Sequence, residues 1–373
     1  LSEWLREFLF TGFPWLYIGY TAVDNSMLQG YIPVLGIFGI GFLIVLISQI
    51  FLTLLGGIRG LTQRKSLYLS SLALMIIFIS NQPLENINWT GSTGKISATV
   101  VQPNIDIKEK WTQRGLQKIQ SAIEKKLNQN PPQNLTQSSV IFWPEVTLTS
   151  LIQKDRINEF SNNILNENNM LGMVIGVLSE NKTEEINNSL IGIGNVSGIY
   201  DKTFLVPFGE YVPLSGLFSV FFDFFNFNRP QIFSGNKNEL IGNNFIKISS
   251  AICYEIAYQN VFLSTSKKTN ILFNASNDNW FGNGLGPHQH LQIARFRAAE
   301  HQKYLVRSTS TGISALINHH GQIIKKIETS TGKNELESFQ EDVILKSGQT
   351  PYAYFGKNPF LFIMVIIFFI SAI

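Results

Sequence analysis

The chain has one cysteine in 373 residues, Cys253, so no intramolecular disulfide can form. A lone thiol suits an exported enzyme, because no second thiol is present to trap it. Charge is also scarce. Charged residues make up 15% of the chain and the net charge is only +3. No basic stripe with interleaved aromatics is present, which argues against a nucleic-acid partner. Histidine is rare too, at five residues. His288-Gln-His290 with His301 is the one grouping that could suggest a metal. Its His-x-His spacing fits a strand face better than the helix expected there, and no clear carboxylate partner completes it, so no metal is expected. Finally, the chain begins without Met or a signal peptide and stops inside the apolar run Pro359 to Ile373. Both ends read as cut, as in an amino-terminally truncated piece of a longer membrane protein.

What is abundant is apolar sequence, unevenly spread. Of a 45% hydrophobic total, the densest stretches fall in the first eighty positions and the last fifteen. Val34 to Ile58 carries no charged residue and is long enough to span, since ~20 apolar residues cross a bilayer. Residues 67–81 form a second expected transmembrane helix and residues 358–373 a truncated third. The short loop 59–66 between the first two holds Arg59, Arg64 and Lys65. By the positive-inside rule it is cytoplasmic. Residues 82–357 then face the outside, which in a Gram-negative bacterium is the periplasm. Residues 1–33 form a membrane-proximal arm on the same side. Its Thr11-Gly-Phe-Pro-Trp-Leu16 and Tyr31-Ile-Pro33 suit the interface, where Trp and Tyr collect.

From Lys95 onward, short β-rich runs alternate with helical ones. Strands are expected at 96–101, 139–143, 173–178, 189–194, 198–200, 245–252, 271–274, 304–308, 313–317 and 323–326, and helices at 115–127, 153–169 and 287–302. This alternation predicts α/β layers. Three chemically capable residues each leave the end of an expected strand. Phe142-Trp-Pro-Glu145 supplies a carboxylate, Tyr200-Asp-Lys202 an amine, and Ala251-Ile-Cys-Tyr-Glu255 the thiol. A cysteine nucleophile acts as its thiolate and needs a base or a cation nearby. Glu145 can take the proton. Lys202 can stabilise both the thiolate and the oxyanion formed when it attacks a carbonyl. Taken singly, each has a plainer explanation: an inert buried thiol, a solvated strand end, a surface lysine.

The order Glu, Lys, Cys resembles the nitrilase superfamily. The longer motifs Tyr200-Asp-Lys-Thr-Phe-Leu-Val-Pro-Phe-Gly-Glu-Tyr-Val-Pro213, Asn274-Ala-Ser-Asn-Asp-Asn-Trp-Phe-Gly282 and Arg307-Ser-Thr-Ser-Thr-Gly-Ile313 resemble bacterial apolipoprotein N-acyltransferases. So do Glu3-Trp-Leu-Arg6 and Thr11-Gly-Phe-Pro-Trp15 in the arm. The resemblance implies a nitrilase-like α-β-β-α sandwich inserted between transmembrane helices. It implies catalysis by Glu145, Lys202 and Cys253, with Glu210 and Glu255 in supporting roles and Trp15, Trp111 and Tyr254 near the site. It also implies a two-step reaction. Cys253 takes an acyl chain from a phospholipid, and the α-amine of a diacylglyceryl-modified cysteine on a lipoprotein then receives it, with no metal and no soluble cofactor. A membrane-tethered nitrilase-type amidase, in which water attacks the thioester, is the alternative. One segment stays open. Leu217 to Phe227 holds six phenylalanines and reads either as a buried helix or as a lid dipping into the membrane.

Overall fold

A computed structural model describes residues 2–9, 12–60, 63–129, 138–157, 159, 161, 171–211, 231–236, 239–282, 284–328 and 335–371. The arm begins with the short helix α1 (Ser2–Leu5) and continues through 3-10 turns at Ile18–Asp24 and Gln29–Tyr31. Two long helices follow, α2 (Ile32–Ile58) and α3 (Arg64–Glu85), both long and apolar enough to cross a membrane. Their outward side chains, including Val45, Phe51, Leu52, Leu69 and Ile79, are exposed. A helix of 27 residues is ~40 Å long, more than a bilayer's hydrocarbon core. The helix is broken near its start at Gly36, whose φ is +63°. A side chain there would strike the Tyr352 ring at 2.3 Å, so glycine is required both by the backbone and by the packing.

Thirteen strands form two sheets among the described residues. The first has the order β13 (Glu337–Gly348), β1 (Thr90–Gln102), β2 (Ser139–Phe142), β4 (Leu171–Glu180), β5 (Ile186–Gly194), β6 (Gly198–Asp201), with β3 (Leu148–Gln153) also beside β4. The second has the order β12 (Ile323–Glu328), β11 (Ile313–Ile317), β10 (Leu305–Thr309), β9 (Ile271–Ser276), β8 (Lys247–Ile252), β7 (Ile241–Gly242). The two sheets face each other across an apolar layer that includes Phe142 and Phe273, whose rings lie 4.9 Å apart. α4 (Ile107–Lys110) leads into α5 (Gln113–Gln129). Ile119 and Ile123 of α5 cover the outer face of the first sheet. α6 (Gly286–His301), the arm and α2 cover the outer face of the second. The layers therefore run α-β-β-α. α7 (Pro351–Phe355) and α8 (Asn358–Ser371) close the described chain.

Most expected strands form within a residue or two of their predicted ends, but β1 starts six residues earlier, the short strands β3 and β7 were not expected, and two further regions differ. Where a helix was expected over 153–169, β3 runs through Gln153 and a 3-10 turn spans Lys154–Arg156; residues 157, 159 and 161 are helical as expected, and 158, 160 and 162–170 lie outside the described set. β13 was not expected at all. It is an edge strand with a largely exposed outer face, so its apolar signal is thin. It nonetheless pairs with β1 along twelve positions, Thr90↔Gly348 to Gln102↔Glu337. α3 also runs past residue 81 to Glu85, and the first sheet starts at Thr90. The phenylalanine-rich stretch Leu217 to Phe227 lies outside the described residues.

Candidate active site

β1, β2 and β4 run parallel, and β8, β9 and β10 run parallel in the other sheet. Glu145 follows the end of β2, Lys202 the end of β6 and Cys253 the end of β8. Carboxyl ends of strands are where an open α/β sheet leaves its loops free for chemistry.

Each turn has its own supports. Glu145 precedes Val146, a β-branched residue held at φ +43°. That conformation is a genuine outlier for valine and must be imposed by surrounding contacts. Gly176 lies beneath the turn, and a Cβ there would come within 2.3 Å of Pro144 O and 2.5 Å of Val146 N. From the other side Lys110 Nζ donates to the Glu145 carbonyl at 3.1 Å. Burial pulls the Lys110 amine down to about 8, and the Glu145 charge opposes that pull. Cys253 itself sits at φ +53°, again unusual for an L-residue.

Lys202 is 1% exposed and connects the two carboxylates. Its Nζ donates to Glu210 Oε1 at 2.8 Å and lies 3.6 Å from Glu145 Oε1. Burial alone would lower its amine. Glu210 and then Glu145 outweigh that effect and raise it above the ordinary lysine range, so it remains an ammonium. Asn188, on β5, donates to Glu145 Oε1 at 2.8 Å and to Glu210 Oε1 at 3.2 Å. Glu210 Oε2 in turn accepts from Val206 N at 2.8 Å. The half-buried Cys253 thiol is pushed up to about 12, first by burial and next by the Glu145 carboxylate. Lys202 and a hydrogen bond with Ser276 act in the opposite direction. At rest the cysteine is thus a neutral thiol facing a carboxylate that can accept its proton and an ammonium that can hold a developing anion.

The remaining sequence-predicted residues fall in three places. Glu255 is fully buried and accepts from Ile252 N at 2.6 Å, Thr203 N at 2.6 Å, Phe204 N at 2.9 Å and Tyr200 OH at 3.0 Å. It therefore ties the Cys253 turn to the Lys202 turn. Trp15 of the arm and Tyr254 are both buried and stack with ring centroids 6.1 Å apart. Trp15 Nε1 also donates to Gln289 at 3.0 Å. Trp111 is 58% exposed and directly follows Lys110. Of the two neighbouring histidines, His288 is exposed near Glu328, while His290 is buried with its Nδ1 3.0 Å from Asp278 Oδ1. Sequence reasoning missed Asn188 and Lys110. A polar Asn-Asn-Ser stretch opening a strand, and a lysine one position before a tryptophan, were the only signals available.

The profile for Carbon-nitrogen hydrolase matches residues 97–335, and that for Apolipoprotein N-acyltransferase N-terminal domain matches residues 1–50. The apolipoprotein N-acyltransferase of Pasteurella multocida is 31% identical over 96% of this chain and 70% of its own length. The one from Wigglesworthia glossinidia brevipalpis is 31% identical over all of this chain and 73% of its own. The chain belongs to the apolipoprotein N-acyltransferase family. Among solved structures, Saccharomyces cerevisiae Nit3, a member of branch 10 of the nitrilase superfamily, superimposes with a TM-score of 0.50. It is 16% identical and covers 69% of this chain and 92% of its own, so the likeness is one of fold. The amino-terminal profile of the N-acyltransferase family covers the arm and most of α2. That is the part of the chain that brings Trp15 onto Tyr254, next to the thiol.

Proposed function

We propose that the chain N-acylates apolipoproteins through a thioester on Cys253, completing lipoprotein maturation. The observation that carries this is a lone cysteine in a strained turn beside the buried Glu145–Lys202–Glu210 cluster, with a membrane-proximal arm stacked on the next residue. In the first step Cys253 Sγ attacks the ester carbonyl of a phospholipid and its proton passes to Glu145. Lys202 holds the oxyanion. The glycerol oxygen then leaves as an alcohol, taking the proton from Glu145, and a lysophospholipid departs. In the second step the neutral α-amine of a diacylglyceryl-cysteine attacks the thioester, an amide forms and the Cys253 thiol is regenerated. The chain is a membrane protein in this reading. α2 and α3 cross the inner membrane, the Arg59–Lys65 loop is cytoplasmic, and the sandwich works in the periplasm at the bilayer surface.

Hydrolysis of a C–N bond by a tethered amidase is not favoured. The family relatives are N-acyltransferases along nearly the whole chain, arm and first membrane helix included. The test is intact-mass analysis of the full chain after incubation with phospholipid and no acceptor. One acyl group should appear on Cys253, be released by neutral hydroxylamine, and be absent from Cys253→Ala. Label that survives hydroxylamine, or persists in the alanine variant, would rule out the thioester.

A further inference from the structure

His290 lies outside the chemistry just described, yet it touches the nucleophile. Its ring is fully buried, with Nε2 3.1 Å from the carbonyl oxygen of Cys253 and Nδ1 3.0 Å from Asp278 Oδ1. A carbonyl can only accept, so Nε2 must carry a proton. Asp278 is itself fixed. Arg307 Nη2 donates to its Oδ2 at 2.8 Å and Ser276 Oγ to its Oδ1 at 2.9 Å. Arg307 and Asp278 are both fully buried as well. The histidine is therefore the end of a braced network, and what it braces is the left-handed Cys253 turn.

The turn has supports on both sides. Before the cysteine, Asn274 Nδ2 donates to Ala251 O at 3.0 Å and Ile252 N donates to Glu255. After it, His290 holds the Cys253 carbonyl. A trans peptide is planar, with its C=O and N–H pointing in opposite directions. Fixing the carbonyl of Cys253 therefore fixes the direction of the Tyr254 N–H. That amide lies in the first turn of the 3-10 helix Cys253–Ala257, where helical amides have no partner within the helix.

We propose that His290 is a positioning residue that, by anchoring the Cys253 carbonyl, aims the Tyr254 amide to act with Lys202 as a second donor to the oxyanion. The proposal rests on the thioester chemistry above. It makes a distinction that simple structural support would not. Forming the thioester passes through an oxyanion, whereas alkylation of the same sulfur by iodoacetamide does not. Loss of the His290 bond should slow the first reaction and spare the second.

The test uses the full chain in detergent with a synthetic diacyl phospholipid in mixed micelles, and follows the Cys253 thioester by intact mass in single turnover. Cys253 is the only thiol, so iodoacetamide alkylation reads the same atom. Removing one oxyanion donor costs about 10²–10³ in rate, so His290→Ala should slow thioester formation roughly a hundredfold at saturating phospholipid, with the half-saturating concentration unchanged. Alkylation should stay within about threefold of wild type, because displacement at iodoacetamide needs only the thiolate. His290→Gln places an amide N–H where Nε2 stood and should recover most of the rate. His290→Asn reaches only the Nδ1 position and should not. If the alanine variant does not fold, the Gln and Asn pair carries the test. Equal rates for Gln and Asn, parallel loss of alkylation and thioester, or an alanine variant at wild-type rate would each overturn the proposal. A wild-type chain that forms no thioester would instead overturn the function on which it rests.

Discussion

Lys202→Met separates the two roles that the geometry gives this lysine. The ammonium is buried between Glu210 at 2.8 Å and Glu145 at 3.6 Å. Methionine has nearly the same length and no charge, so it leaves two carboxylates close together with only Asn188 and backbone amides to satisfy them. Removing one partner of a buried ion pair costs about 3–5 kcal/mol. For a domain of this size that is a fall in melting temperature of roughly 6–20 °C, at about 2–4 °C per kcal/mol. Independently, an oxyanion donor is worth about 2.7–4 kcal/mol, or 10²–10³ in rate. The single variant should therefore lose both stability and acylation. The double variant Lys202→Met/Glu210→Gln removes one of the stranded charges. It should regain much of the melting temperature and none of the rate. The assays are thermal unfolding in detergent beside single-turnover thioester formation at a temperature where all three proteins are folded. If the double variant recovers its rate along with its stability, the lysine is a structural counter-ion. If the single variant stays within tenfold of wild type, Lys202 has no part in the chemistry.

With the Cys253 thiol pushed up to about 12, its thiolate fraction should climb about tenfold per pH unit below that value. Iodoacetamide alkylation of the resting protein should follow this rise between about pH 8 and 10, and a plateau in that range would mean that the thiolate is already formed. Glu145→Gln removes a negative charge that raises the thiol. It should therefore alkylate faster at a given pH while losing acyl transfer, because an amide cannot accept the proton. Equal losses of both would show that Glu145 serves only packing. Gly36→Ala puts a methyl group into the Tyr352 ring at a position held at φ +63°, and should cost roughly 2–4 kcal/mol in thermal unfolding. An unchanged melting temperature would mean that the kink relaxes freely. Reporter fusions after Ser66 should behave as cytoplasmic and fusions after Asn130 as periplasmic, and the reverse pattern would invert the topology.

The strands were legible because many are buried on both faces and read as largely apolar runs, as at Leu171–Glu180 and Ile313–Ile317. The three chemical residues were legible because each ends such a run. β13 was not. Its exposed positions include the polar Gln340 and Asp342, and its partner β1 lies more than two hundred residues upstream. Asn188 was invisible for a related reason. It sits in the polar start of β5, Asn187-Asn188-Ser189, just ahead of the expected strand 189–194, and only pairing with β6 and the approach of β2 place it between Glu145 and Glu210. Glu210 was expected in a supporting role near the thiol. The structure places it on Lys202, and the seven intervening residues give no hint of that bond.

The membrane half and the catalytic half meet along one helix. Breaking α2 at Gly36 takes nearby amides out of the helical ladder, and a broken helix is stable only if such groups find other partners. The Ile37 amide finds Glu300 Oε1 on α6, at 3.2 Å. Glu300 is paired with Arg297, one turn earlier. Arg297 Nε donates to Ile256 O at 3.1 Å and its Nη2 to Ala257 O at 3.3 Å, both in the 3-10 helix that begins at Cys253. Two turns further back on α6, His290 holds the Cys253 carbonyl. Positions 290, 297 and 300 are separated by seven and three residues, so they share one face of α6. That face contacts the Cys253 turn at two points and the kink of α2 at a third. The kink, which a straight transmembrane span would not need, thus becomes a fixed reference for the thiol. If, as proposed, the acyl chain comes from the bilayer, its transfer requires that kind of rigid register between bilayer and sulfur.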